Sequence, residues 1–180
     1  PSLIRMKLID FDLAGQPAAT VLVKSSSEPN GEVVRLDPAG AFGVFAGSVA
    51  TAIGLAAADG LLQIQHGDTI EAIYQDASPA GLVSTLARAD LMPPVVTDVS
   101  ATNRFGKEII SWLTDERANA VVRYGTNGAF SLAVTNLAWK TAHEVILPGL
   151  VDGVTYQFIV VSADEAGNLS TNDNNGDYFT

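Results

Sequence analysis

Short runs of alternating apolar and polar residues, each cut off by a turn signal, recur along the whole 180-residue chain. That pattern builds half-buried strands rather than amphipathic helices. In the first half the runs span residues 3–9, 20–25, 32–36, 44–49, 61–65, 68–75 and 82–87. Between them stand Glu28-Pro29-Asn30-Gly31, Asp37-Pro38-Ala39-Gly40 and His66-Gly67-Asp68. Proline removes a ladder donor and glycine supplies turn conformations, so each cluster ends a strand. The alanine-rich piece 50–58 contains Thr51, Ile53 and Gly54 and has no polar face, so it reads as a loop or a strand extension.

The second half repeats the style over residues 95–100, 108–114, 120–124, 131–134, 143–147, 155–162 and 176–180. Ile110 and Trp112 share one face of their run. Tyr156 opens another, just after the turn Leu147-Pro148-Gly149-Leu150-Val151-Asp152-Gly153. A buried tryptophan on an early strand and a tyrosine after a corner are anchor points of two packed sheets. Met92-Pro93-Pro94 separates the halves, because two adjacent prolines cannot join a ladder and hold the backbone extended. The expected fold class is all-β, as two tandem β-sandwiches over 1–92 and 93–180.

Hydrophobic residues are 47% of the chain and charged residues 17%, enough apolar material for packed cores. Ten basic side chains face twenty acidic ones, a net charge of -10 that repels phosphate backbones and anionic lipid surfaces. Nucleic acid is therefore not an expected partner. The absence of cysteine excludes thiol catalysis, cysteine-ligated zinc and disulfides. No apolar run reaches the roughly 18 to 20 residues of a spanning helix, so membrane insertion is not expected.

The series Ile110-Ser111-Trp112, Val122-Arg123-Tyr124-Gly125-Thr126, His143-Glu144-Val145-Ile146-Leu147-Pro148-Gly149-Leu150, Thr155-Tyr156 and Ser162-Ala163-Asp164-Glu165-Ala166-Gly167-Asn168 resembles a bacterial fibronectin type III module. In the first half, Asp10-Phe11-Asp12-Leu13, Gly43-Val44-Phe45-Ala46-Gly47-Ser48-Val49 and Gly67-Asp68-Thr69-Ile70-Glu71-Ala72-Ile73-Tyr74-Gln75-Asp76 are similar to bacterial immunoglobulin-like repeats. Such repeats occur in large extracellular proteins, including the C-terminal regions of subtilisin-like proteases. The resemblance implies a secreted or cell-surface setting and a non-catalytic accessory role as spacer, stabiliser or protein-interaction surface. The implied partners are the other domains of a parent protein, another protein or a polysaccharide. The alternative is a carbohydrate-binding accessory module of a polysaccharide-degrading enzyme. A start at Pro1, without methionine or signal peptide, reads as a piece of something longer.

Catalysis needs a nucleophile, a base and an orienting group converging on a pocket. Only His66 and His143 offer imidazole bases, and they fall in different halves. No phosphate loop, zinc spacing or nucleophile elbow occurs, so the chain itself is not expected to be an enzyme. The one expected cation is calcium, which takes hard oxygen ligands. Asp10 and Asp12 follow the first run and Asp76 ends a late one, so the three can meet at one end of the first sandwich. They read either as calcium ligands or as turn carboxylates capping backbone amides. Asn172-Asp173-Asn174-Asn175-Gly176-Asp177 fails as an EF-hand loop for want of a closing glutamate and reads as a polar turn. Trp139, in a stretch read as a loop, is either an exposed platform for a sugar ring or partner, or packed against a neighbouring strand.

Overall fold

A computed structural model describes residues 2–180; Pro1 lies outside the described residues. The chain is almost entirely β, with two single-turn 3-10 segments and no α-helix among the described residues. It divides into two compact units, one ending at Leu91 and the other beginning at Met92.

The first unit contains β1 (Leu3–Ile9), β2 (Ala19–Ser25), β3 (Glu32–Pro38), β4 (Val44–Ala52), β5 (Leu61–Gln63), β6 (Thr69–Ala77) and β7 (Ala80–Arg88). They form one curled sheet in the order β1-β4-β3-β2-β6-β7, with β5 running parallel alongside β4. β3 joins the two parts of the sheet. Residues 32–36 pair with β2, and Asp37 and Pro38 pair with β4. Period-two alternation decides what is buried: in β2, Ala19, Val21, Val23 and Ser25 point inward and Thr20 points out. The concave face gathers Val21, Val23, Val34, Leu36, Phe45 and Leu62 into one core. At its edge the buried Glu28 carboxylate accepts the Gln63 N–H at 2.8 Å, and Ser25 Oγ donates to the Gln63 carbonyl. These bonds satisfy groups that would otherwise be stranded away from water.

The second unit contains β8 (Val96–Arg104), β9 (Lys107–Thr126), β10 (Ala129–Leu147), β11 (Gln157–Ala163) and β12 (Leu169–Asn172). The order is β10-β9-β11-β12 with β8 on the other side of β9, all antiparallel. Runs read from sequence as separate strands, 108–114 with 120–124 and 131–134 with 143–147, are continuous in β9 and β10. Asp115-Glu116-Arg117-Ala118-Asn119 is polar, which mimics a turn, but it holds no glycine or proline to end the strand. The turn in direction is taken up instead by register shifts between Asn136/Lys140 and Lys140/Ala142. Ile110 and Trp112 from one half of β9 and Val122 and Tyr124 from the other therefore face one core, with Val145, Phe158 and Val160.

The expected last strand, 176–180, does not form. Asn174, Asn175 and Tyr178 have positive φ, which breaks extension, and only Phe179 bridges to β11, opposite Phe158. The edge next to β11 is taken by β12, a stretch not read as a strand from sequence, of which only Asn172 falls in the expected polar turn. The corner is also held differently from expectation. Tyr124, not Tyr156, donates its hydroxyl to a backbone carbonyl there, that of Pro148, at 2.9 Å. Tyr156 is half-buried beside the Tyr124 ring, with centroids 6.3 Å apart.

Trp112 is 1% exposed and its Nε1–H donates to Ser162 Oγ at 3.0 Å across 50 residues of chain. Replacing it by alanine leaves a large cavity and an unpartnered hydroxyl. Trp112→Ala is expected to destabilise the second unit by about 3–5 kcal/mol. Amide hydrogen exchange resolves this by unit: β9 and β11 amides lose protection and β2 and β3 amides do not. Unchanged protection in β9 would show that the core does not rest on Trp112.

Candidate functional site

Three turns meet at one end of the first unit. After β1 the chain makes a 3-10 turn at Phe11–Leu13, whose first residue is preceded by Asp10 as cap. Asp10 Oδ1 accepts the Asp12 N–H at 2.9 Å, the local bond that a short acidic side chain makes at such a turn. The Asp10 N–H donates to the Gly43 carbonyl at 2.9 Å and so ties in the loop before β4. Gly43 sits at φ +76°, and a Cβ there would collide with the Asp10 carbonyl, so only glycine allows the two loops this approach. Between β6 and β7, Asp76 Oδ1 accepts the Ser78 N–H at 2.9 Å.

Asp10, Asp12 and Asp76 thereby line one hollow of about 270 Å³ with Phe11 and Tyr74. The structure brings together all three residues picked out as calcium ligands. It does not arrange them as a cage, since their carboxylate oxygens are not among the described sets that all lie within 4.8 Å of one another. Calcium requires oxygens converging at about 2.3–2.6 Å from the ion. Here Asp10 has one oxygen on a backbone amide and the other on the Tyr74 hydroxyl, at 2.5 Å, while Asp76 caps its own turn. The Asp10 and Asp76 carboxylates each cap the turn that follows them.

Tyr74 was not legible as part of this site, because its partner lies 64 residues away. Burial pushes its pKa up to about 12, helped by the hydrogen bond to Asp10 and the charges of Asp10, Asp76 and Asp12. The phenolate would be desolvated and set against three carboxylates.

The same hollow opens into a groove of about 400 Å³, and Leu8, Ile9, Tyr74 and Val83 line both. The groove runs between β1 and β7, the two ends of the sheet order, each hydrogen-bonded on one side only.

In the second unit His143 lies opposite Trp112 in the β9–β10 ladder and stacks on it, with centroids 5.0 Å apart and planes 24° from parallel. It is buried. Thr114 Oγ1 donates its single proton to the Glu116 carbonyl at 2.7 Å. It also lies 3.0 Å from His143 Nε2, so the ring nitrogen is engaged inside the fold. Burial, and then the Lys140 charge, push the His143 pKa down from its usual 6.5. His66 is exposed; its Nδ1 accepts the Leu91 N–H at 3.2 Å and lies 3.2 Å from Asp90.

Trp139 lies on β10 rather than in a loop, within a wholly exposed stretch that includes Leu137, and is itself 37% exposed. It makes no ring contact with another aromatic among the described residues. The polar run 172–177 forms the second 3-10 turn, in which Asp173 accepts the Gly176 N–H. No family model matches the chain, and no curated protein matches it.

Two pH dependences follow. Tyr74 has a folded pKa above its unfolded value of about 10, so its stabilising effect is whole below about pH 10 and is lost as pH rises towards 12. Alkaline titration of tyrosinate absorbance should contain a component near pH 12 that Tyr74→Phe removes and Asp10→Asn moves to lower pH. An unaltered curve in Tyr74→Phe would disconnect that component from Tyr74. His143 has a folded pKa below its unfolded value, so its contribution is whole above about pH 6.5 and is lost as pH falls. Denaturant midpoints for the second unit should fall between about pH 7 and 5, and fall less in His143→Gln; equal slopes would refute this assignment.

Proposed function

We propose that the chain is a pair of non-catalytic β-sandwich modules, immunoglobulin-like and then fibronectin type III-like. They belong to a larger secreted or cell-surface bacterial protein and serve as spacer, stabiliser or protein-interaction surface. The observation that carries the non-catalytic reading is the state of the two imidazoles. His143 is buried with its Nε2 already engaged by Thr114 Oγ1, and His66 bonds a backbone amide. Neither faces a free nucleophile of the kind that acyl or phosphoryl transfer needs. The sandwich reading is supported by the bends of β9 and β10, which turn two layers of side chains onto one core, and by the phenol bond at the corner.

A second reading, carbohydrate binding, is favoured by Phe11 and Phe42, 72% and 77% exposed on loops that Asp10 and Gly43 join beside the acidic hollow. Aromatic faces with nearby carboxylates suit sugar rings and their hydroxyls.

One experiment separates the readings. The intact chain is assayed with ester, peptide, glycoside and phosphate substrates, and run through gels containing soluble polysaccharides. No turnover and unchanged mobility are expected. Turnover lost in His66→Gln or His143→Gln would make it an enzyme, and retardation lost in Phe11→Ala would favour the second reading. For calcium, the capping arrangement predicts no rise in melting temperature at millimolar concentration. A true site would add about 2.7 kcal/mol at 100 times its dissociation constant, and that rise would vanish in Asp12→Ala.

A further inference from the structure

We propose that the groove between β1 and β7 accepts one extended strand of a partner polypeptide, apolar on its inward side and acidic on its outward side. This rests on the interaction-surface reading above and names the partner's chemistry.

Both walls of the groove are strand edges. β1 pairs only with β4 and β7 only with β6, so each presents a row of N–H and C=O groups to the gap. An extended chain is the ligand that can answer such rows at the strand repeat. Five antiparallel steps separate β1 from β7 in the sheet order, so the two run in opposite directions. One inserted strand would be antiparallel to one wall and parallel to the other.

The side chains around the gap set the pattern. Met6, Leu8, Val21, Leu36, Tyr74 and Val83 line it, and apart from Val83 these belong to or pack on the core of the unit. Alternate inward residues of the guest should therefore be apolar. On the outer side of β1 stand Arg5 and Lys7, exposed and in no ion pair among the described residues. Cross-strand neighbours of opposite charge stabilise a ladder and like charges oppose it, so the outward residues of the guest should be acidic. Charge on an edge strand also deters aggregation, which accounts for β1 taken alone. It does not account for β7. All nine residues of β7 are exposed, its pairing with β6 is unbroken, and Leu82, Val83 and Leu86 are bare, with no charge before Arg88. Such an edge facing a groove with an apolar floor fits a surface meant to be covered.

The test uses the intact isotope-labelled chain and two acetylated heptapeptides, Thr-Val-Glu-Val-Glu-Val-Thr and the same peptide with lysine for glutamate. Expected are amide shifts confined to residues 5–9 and 82–86, and a glutamate peptide that binds about tenfold tighter than the lysine peptide, the size of two reversed cross-strand charge pairs. Reversing both surface cations, Arg5→Glu with Lys7→Glu, should invert that preference. N-methylation of alternate peptide bonds should abolish binding. Equal affinity for the two peptides, binding that survives N-methylation, shifts elsewhere, or no shifts at millimolar peptide would each overturn the proposal. Shifts at the same amides on raising chain concentration without peptide would assign the groove to a second copy, and would also overturn it. The turnover assay above addresses a different claim. Activity there would sink the accessory reading, whereas failure of the peptides alone would leave that reading standing and remove only this one.

Discussion

The second unit depends on one strand that does not stop. β9 keeps extended backbone through Asp115–Asn119, so a single chain segment feeds inward side chains to both halves of the core. A strand that ended at Thr114 would leave Trp112 and Val122 on separate elements, free to shift against each other. Because they share a backbone, the relative placement of the halves is set by one bend. β10 follows through the same bend with its ladder interrupted near Lys140. Trp112 then meets Ser162 on β11, so the interior carries a polar link as well as an apolar one.

The first unit meets the same need differently. Its sheet curls through β3, which pairs with β2 along most of its length and with β4 at its end. Curling brings the ends of the order towards each other without joining them. Buried polar groups collect near the rim, where Glu28 and Ser25 hold the backbone of Gln63. The ends of strands are secured by carboxylates: Asp10, Asp76 and, in the other unit, Asp164, which accepts both the N–H and the side-chain amide of Asn168. The many acids of this chain thus have local work at turns, which is where short acidic side chains compete best for backbone donors.

Much of this was legible in advance, and the exceptions share a cause. Each of the seven runs read in the first half coincides with a strand to within a few residues, because glycine and proline mark their ends. The errors fall where polar composition stood in for a true breaker, at 115–119, where the ladder partner 137–142 shifts register without a glycine or proline, and where asparagines at positive φ cancelled a plausible final strand. Asp10, Asp12 and Asp76 could be brought together on paper, since all three end strands on one side of a sheet. Their engagement with Tyr74, the choice of Tyr124 over Tyr156 at the corner, and the bond from Trp112 to Ser162 could not. Each depends on register between segments distant in sequence, and a one-residue slip would send those side chains to the opposite face.

The stacking of Trp112 on His143 gives the molecule an internal optical label. Both tryptophans lie in the second unit, one enclosed beside an imidazole and the other partly in water, while the first unit has none and a single tyrosine, Tyr74. Indole emission therefore reports on the second unit alone, and its enclosed component senses whether the neighbouring ring is neutral or charged. The second half of an unbroken chain can be watched by itself in a cuvette without attaching a dye.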